Sequence, residues 1–254
     1  MQPNRVKEAL RQGKVQLGTQ VAQFGSPELP KILAAAGFHW FFVDAEHGGL
    51  GAESVQALCR MGNLAGICPV VRVADLQYAL VARALDSGSQ GLILPRVECP
   101  DRLATALSWM KFPPAGIRGY GLSPFHLEWQ AASFAEVIEH ANRNVLAVFQ
   151  IETRVAFDRR EELLAVPGID VALVGPADLS ISLGLPGQFD HPRMVETIEA
   201  IRDSCRARGI VPGIQTRNET LARFWKERGM LFLGCGNEAS LLYERARQLV
   251  SALS

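Results

Sequence analysis

Eight short apolar, β-branched runs recur along this 254-residue chain with amphipathic stretches of helical length between them, and that alternation constrains the fold more than any other feature. The runs are Val15–Val21, Trp40–Asp44, Cys68–Arg72, Gly91–Leu94, Val145–Ile151, Val171–Val174, Ile210–Ile214 and Met230–Leu233. Helical stretches include Pro27–Ala36, Ala52–Ala65, Gln77–Asp86, Pro192–Arg208 and Thr220–Arg228. Strand then helix throughout predicts a single (β/α)8 barrel over residues 1–254, with an extra N-terminal helix in Met1–Lys14. A doubly wound open sheet would carry a glycine-rich phosphate turn after its first strand, and Thr19-Gln20-Val21-Ala22-Gln23 offers none.

Charge and composition exclude several functions. Lys plus Arg and Asp plus Glu stand at 26 each, with no basic arm or stripe for a polyanion, so nucleic acid is not an expected partner. The N-terminus lacks the apolar core of a signal peptide and no apolar run approaches the ~20 residues of a membrane span, so a cytoplasmic protein without membrane contact is expected. Cys59, Cys68, Cys99, Cys205 and Cys235 are irregularly spaced, which fits reduced structural thiols rather than a disulfide framework or a metal knuckle. One stretch breaks the rhythm: Phe112–Ala132, with Pro113-Pro114-Ala115-Gly116 and Gly119-Tyr120-Gly121, is too long for an ordinary connection and is expected to lie over the barrel mouth, with His126 as a substrate contact.

In a (β/α)8 barrel the active site gathers where the strands end, so the residues just after each strand carry the functional reading. Strand two runs into Asp44-Ala45-Glu46-His47, strand three ends at Arg72, strand five at Gln150-Ile151-Glu152, and strand six at Gly175-Pro176-Ala177-Asp178. So many charges at one rim need partners or a metal ion to offset lost hydration. Glu152 and Asp178 on adjacent strands, with Gln150 beside them, make an oxygen-rich site suited to Mg2+ or Mn2+ with open positions for a chelating substrate. Each has a structural alternative: a salt bridge from Glu152 to Arg154 or Arg72, and a helix N-cap at Asp178. Arg72 could neutralise these acids or bind a carboxylate or a developing enolate oxygen. His47 can exchange a proton near neutral pH. The turn Gly234-Cys235-Gly236-Asn237 is a weak anion cradle and reads better as the plain start of a helix.

These segments resemble the HpcH/HpaI aldolases of the phosphoenolpyruvate/pyruvate barrel superfamily. The motifs are Phe42-Val43-Asp44-Ala45-Glu46-His47-Gly48, Pro69-Val70-Val71-Arg72, Pro113-Pro114-Ala115-Gly116-Ile117-Arg118-Gly119, Gln150-Ile151-Glu152-Thr153 and Val174-Gly175-Pro176-Ala177-Asp178-Leu179-Ser180. The resemblance implies reversible aldol cleavage of a 4-hydroxy-2-oxo acid into an aldehyde and pyruvate, or a hydroxypyruvate-like oxo acid. It implies a divalent ion, Mg2+, Mn2+ or Co2+, in place of a Schiff-base lysine, and no lysine follows a predicted strand. Carried over by position, Glu152 and Asp178 are the metal ligands, His47 the general base and Arg72 the enolate-stabilising group. Gln150 and the backbone of Gly175-Pro176-Ala177-Asp178 hold the oxo acid, with Asp44 and Glu46 behind them. An aspartate that raises the basicity of the histidine corresponds to Asp86, which ends the helix after strand three and so belongs at the far end of its own barrel. The expectation is that Asp86 reaches His47 from a neighbouring subunit, in the homo-oligomer, often a hexamer with exchanged C-terminal helices, that the resemblance implies. The loop after Gly121, Leu122-Ser123-Pro124-Phe125-His126-Leu127-Glu128-Trp129, departs from the family's pattern and leaves the aldehyde open. Rival readings are a citryl- or malyl-CoA-type lyase, a catalytically silent oxo-acid-binding barrel and a phosphosugar isomerase.

Overall fold

In the computed structural model, which describes residues 1–254, eight parallel strands close on themselves in sequence order. They are β1 (Gln16–Val21), β2 (Trp40–Asp44), β3 (Cys68–Arg72), β4 (Gly91–Leu94), β5 (Leu146–Ile151), β6 (Val171–Val174), β7 (Val211–Thr216) and β8 (Phe232–Asn237). The surrounding helices are α1 (Arg5–Arg11), α2 (Leu29–Ala35), α3 (Ala52–Ala65), α4 (Tyr78–Asp86), α5 (Pro100–Trp109), α6 (Phe134–Asn144), α7 (Arg154–Asp158), α8 (Arg160–Leu164), α9 (Pro176–Ser182), α10 (Pro192–Ala207), α11 (Glu219–Glu227) and α12 (Glu238–Leu253). Four strands, β2, β3, β4 and β6, have the bounds expected from sequence. The largest differences are at β7 and β8, which run further: β8 continues through Gly234-Cys235-Gly236-Asn237 because backbone pairing to β1 (Gln20 with Asn237) and β7 (Thr216 with Cys235) holds it there.

The two-residue period of each strand sorts its side chains between two cores. Phe41, Val43, Val71, Leu92, Leu94, Ala147, Phe149 and Ile151 face outward into a large cluster with the helices. Trp40, Phe42, Cys68, Val70, Ile93, Leu146, Val148, Val171, Leu173 and Phe232 fill the barrel itself. Trp40 stacks on Phe232 with ring centroids 3.8 Å apart, and its indole N–H donates to the Gln16 carbonyl at 3.1 Å. The inward column then turns polar at the C-terminal ends: two residues beyond Phe42 is Asp44, two beyond Val70 is Arg72, and two and four beyond Val148 are Gln150 and Glu152.

Helix α1 stoppers the opposite end. Val6 and Leu10 join the interior cluster, and the Asn4 side chain caps the helix by accepting from the Lys7 amide at 2.9 Å. Buried Lys7 donates to the Val145 carbonyl at 2.6 Å and to Asp170 at 2.8 Å. Burial pushes its ammonium below the usual lysine range against the opposing pull of Asp170. The cysteines are all free, with Cys59, Cys68 and Cys205 buried. No helix is long and apolar enough to cross a membrane.

The segment Phe112–Ala132 does not cover the mouth of its own barrel, and none of it lines the cavity there. It follows a helix, not a strand, and so starts from the far end. From there it runs along α4, with the Gly119 amide donating to Tyr78 Oη at 2.8 Å and Arg118 paired to Asp86 at 2.7 Å. A single 3-10 turn, Pro124–Leu127, follows, and Glu128 ion-pairs the N-terminal amine at 2.8 Å. His126 is therefore not a contact of this chain's mouth: its Nδ1 accepts from the Ser123 amide, and burial holds its pKa below the ordinary value.

Two outcomes follow from this packing. Lys7→Ala leaves the Asp170 carboxylate and the Val145 carbonyl without their buried partner, and is expected to cost about 3 kcal/mol, read as a lower urea midpoint. A change of less than about 0.5 kcal/mol would mean that α1 is not pinned through Lys7. Because neutral His126 is favoured in the folded chain, its contribution is complete above the ordinary histidine pKa of about 6.5 and is lost as pH falls below it. Hydrogen exchange across residues 112–132, corrected for intrinsic rates, should therefore be faster at pH 5 than at pH 7.5, and the difference should shrink in His126→Gln.

Candidate functional site

A cavity of about 450 Å³ opens at the C-terminal end of the strands. Gln20, Asp44, His47, Arg72, Gln150, Gly175, Pro176, Ala177 and Asp178 line it together with Phe189, Gln215, Thr216 and Arg217. Most residues singled out from sequence thus converge on one space. Three do not line it: Glu46 and Glu152 are set behind its wall, and Asp86 ends α4, bonded to Arg118 and away from the cavity. The separation of Asp86 from the mouth is what strand and helix order alone require.

The firmest part of the site is the Asp44–Arg72 pair. These residues are direct partners in the β2–β3 ladder, so both side chains point inward side by side. Arg72 Nε donates to Asp44 Oδ1 at 3.0 Å and Nη2 to Oδ2, a two-point grip that leaves Nη1 for a ligand. The Gln20 amide donates to Oδ2 at 2.6 Å, and the Glu46 and His47 backbone amides to Oδ1 at 3.1 Å each. Burial alone would raise the Asp44 carboxyl, but the Arg72 guanidinium and these amides outweigh it and hold it below its ordinary range. Asp44 is thus an ionised anchor that sets the direction of Arg72 and shapes the turn carrying His47.

The other acids are under-compensated. Glu152 is 2 % exposed; it accepts from the Arg96 amide at 2.8 Å and from the Gln150 side chain. Burial, reinforced by the charges of Glu46 and Asp178, pushes its carboxyl up despite the Arg96 amide and Arg72. Glu46 is raised as well, by burial first, and its Oε2 has no hydrogen-bond partner although Arg72 Nε lies 3.4 Å away. Its Oε1 is 3.7 Å from His47 Nε2, and the His47 side chain is 57 % exposed toward the cavity. The structural alternatives for the two leading acids are not adopted: Arg154 pairs with Asp158, and Gly175, not Asp178, is the N-cap of α9.

This donor set fits a hard divalent cation. Glu152 and Asp178 come from neighbouring strands, their charges act on each other, and a dication between them would offset the repulsion that raises Glu152. No three His, Cys, Asp or Glu side chains converge on one point, so the remaining coordination would fall to water and substrate oxygens, as Mg2+ commonly accepts. Gly175 makes the approach possible: a Cβ there would lie 2.8 Å from Gln150 Nε2 and 3.0 Å from Glu152 Cβ.

Four contributors escaped the sequence reading. Gln20 braces Asp44 from within β1, a position that the two-residue period of that strand could have indicated. Arg96, just past β4, holds a left-handed backbone with φ 55° and so aims its amide at Glu152, an unusual conformation for a non-glycine residue that no local sequence signal announces. Arg217 lines the cavity. Glu238 is buried and its Oε1 accepts from the amides of Ala22, Gln23 and Phe24, clasping the loop after β1 to the start of α12. That clasp, with the Asn237–Ser240 capping box, uses the polar groups a phosphate would need, and Gly234-Cys235-Gly236-Asn237 is neither an anion cradle nor a helix start but the end of β8, with only Asn237 serving as the cap of α12.

Comparison with known proteins agrees with this fold. Residues 23–244 match the HpcH/HpaI aldolase/citrate lyase family. The chain is 32% identical to a hydroxypyruvate/pyruvate aldolase of Sagittula stellata, over 94% of this chain and 93% of the relative. It is 34% identical to a 4-hydroxy-2-oxo-heptane-1,7-dioate aldolase of Salmonella dublin, over 98% and 94% respectively. An HpcH/HpaI aldolase structure from Desulfitobacterium hafniense superposes with a TM-score of 0.92 at 29% identity, covering 97% of this chain and 95% of the other. With the barrel and the full-length likeness in agreement, the chain belongs to the HpcH/HpaI aldolase/citrate lyase family.

Proposed function

We propose that this chain is a divalent-metal-dependent pyruvate aldolase that reversibly cleaves a 4-hydroxy-2-oxo acid to an aldehyde and pyruvate or hydroxypyruvate. The observation that carries the reading is the meeting of Asp178, Arg72 and His47 in one cavity at the C-terminal ends of the strands, with Glu152 buried where the charges of Asp178 and Arg72 act on it. Aldolase names among relatives that match nearly the whole chain support it.

Glu152 and Asp178 would hold the ion, Mg2+, Mn2+ or Co2+, which when bound supplies Lewis acidity toward the 2-oxo oxygen of the substrate. Gln150 and the first-turn amides of α9 at Ala177 and Asp178, which have no helical partners, hold the oxo-acid end. His47 removes the C4 hydroxyl proton; the O–H electrons form the aldehyde carbonyl, the C3–C4 bond breaks, and its electron pair passes to the enolate of the oxo acid. Arg72, aimed by Asp44, offsets the charge that develops on the enolate oxygen. Protonation at C3 then releases pyruvate.

Asp86 completes this reading from another subunit. Within one chain it lies off the mouth and bonded to Arg118, which supports action on His47 of a partner subunit in the homo-oligomer, often a hexamer, that the resemblance implies. Exposed Leu241, Leu242, Tyr243, Leu249, Val250 and Leu253 on α12 offer an apolar surface for exchange of that helix between subunits.

Metal-stripped protein in D2O should exchange the pyruvate methyl protons, followed by NMR, only after Mg2+, Mn2+ or Co2+ is restored. In Glu152→Ala the rate should fall at least about a hundredfold. Absence of exchange with every metal would favour a CoA-ester lyase or a silent oxo-acid binder. For Asp86, His47→Ala and Asp86→Ala should each lose most aldol cleavage, and hybrids assembled from the two inactive proteins should recover part of it, since some sites then carry both wild-type residues. No recovery in proven hybrids, or a fully active monomer in sedimentation, would refute action in trans.

A further inference from the structure

A second cavity, of about 330 Å³, lies under the segment 112–132, and none of the residues that line it lines the mouth. Asn4, the cap of α1, and Gln90, just before β4, place it at the N-terminal ends of the strands. The ends of α3 and α4, the inner face of α6 and residues 118–129 supply its walls. Leu64, Leu85, Leu122, Phe125 and Val137 give it an apolar lining, and its volume falls at the small end of the range for small-molecule sites. Most polar groups in the lining already have partners. The Asn4 side-chain amide donates to the Gln90 carbonyl at 3.1 Å, the Gln90 side chain to Asn63 Oδ1 at 2.7 Å, and the Asn144 side chain to the His140 carbonyl at 2.8 Å. Glu128 is taken by the N-terminal amine and by the Gln2 side chain.

Two donors in the lining are left over. The Arg118 side chain is only 4 % exposed; its Nη2 bonds Asp86, the Phe112 ring lies 4.7 Å from its Cζ, and its Nε is buried with no partner. His126 Nδ1 accepts from the Ser123 amide at 3.0 Å, so in the neutral ring the proton sits on Nε2, which is buried and likewise without a partner. The Leu85 carbonyl acts on this ring, but not at hydrogen-bond geometry. The charge of Arg118 acts on it too, so the two open donors stand near each other at one end of the cavity. Buried donors without acceptors are costly to a fold, and an acceptor brought in by a ligand would offset that cost.

We propose that this cavity is a ligand site in its own right, for a small monocarboxylic acid with an apolar chain or ring, whose carboxylate is taken by Arg118 and His126. The site stands apart from the mouth and does not depend on the aldolase reading. A carboxylate can accept from both donors at once, and the guanidinium charge favours it over a neutral amide of the same shape. Asp86 shares that guanidinium but is 31 % exposed, so solvent screens its charge and neutralises Arg118 only in part. Arg118 is the only lysine or arginine in the lining, which suits one negative charge rather than two. The leucines, Phe125 and Val137 receive the apolar remainder of the molecule.

The test titrates hexanoate, hexanamide as its neutral counterpart, and succinate as a dianion into the full-length protein by isothermal calorimetry. The native protein should bind hexanoate more tightly than hexanamide by about tenfold or more in Kd, and more tightly than succinate. Arg118→Gln should erase the preference for hexanoate over hexanamide. Ala141→Phe, which leaves Arg118 in place and fills the apolar part of the cavity from α6, should weaken both ligands by about tenfold or more. Arg72→Gln, at the mouth, should leave hexanoate binding unchanged. Thermal melts show which variants are folded, and if Arg118→Gln is not, Ala141→Phe and Arg72→Gln decide the matter. No binding of hexanoate to the native protein, a preference that survives in folded Arg118→Gln, or binding untouched by Ala141→Phe overturns the site. Loss of hexanoate binding in Arg72→Gln overturns it in favour of the mouth, and tighter binding of succinate overturns the monocarboxylate.

Discussion

Closure of the eight-stranded sheet is the constraint on which everything else depends. A closed parallel barrel leaves no unpaired strand edge, and it converts the two-residue period of each strand into two environments, one inside and one under the helices. Because the strands are in ladder register, residues that end neighbouring strands meet: Asp44 lies beside Arg72, and Gln150 and Ile151 beside Leu173 and Val174. The inward column is apolar through Trp40, Phe42, Val70 and Val148 and polar above them. A barrel filled with side chains and stoppered by α1 thus has one end where charge can reach solvent and substrate.

At that end the charges are unevenly satisfied. Asp44 has a guanidinium, a side-chain amide and two backbone amides, and stays ionised despite burial. Glu152 and Glu46 have fewer donors and one another as neighbours, and both are harder to ionise. A buried carboxylate short of partners is costly to a fold unless something else supplies positive charge. The contrast distinguishes a pair that fixes geometry, Asp44 with Arg72, from acids held near one another with too few donors. The left-handed Arg96 and the absent side chain at Gly175 are the backbone adjustments that bring Glu152 into position.

The residues at the mouth stand on two kinds of position in this scaffold. The acids, Arg72 and His47 stand on strand ends and the turns directly after them, where barrel geometry leaves little freedom. Arg217 and Phe189 stand on connections past strand ends, which can vary without disturbing the ladder. The segment 112–132, by contrast, is tied to α4 and to the N-terminus and leaves its own mouth open.

The strand bounds at β2, β3, β4 and β6, the helix Ala52–Ala65, and the placement of Asp178, Arg72 and His47 at one mouth, with Glu152 at the end of β5, were legible in the sequence, because each follows from a local period and from strand–helix order. The last residues of β8 were not: Gly234-Cys235-Gly236-Asn237 has no strand-forming side chains and is extended only because β1 and β7 pair with it. Nor could the sequence show that a long connection after α5 runs along α4, or that Glu238 reaches back some 215 positions to the amides of residues 22–24. Local periodicity determined which residues face inward; which of them become partners, and which charges are left without one, was decided by contacts between segments far apart in the chain, and only the closed tertiary structure sets those.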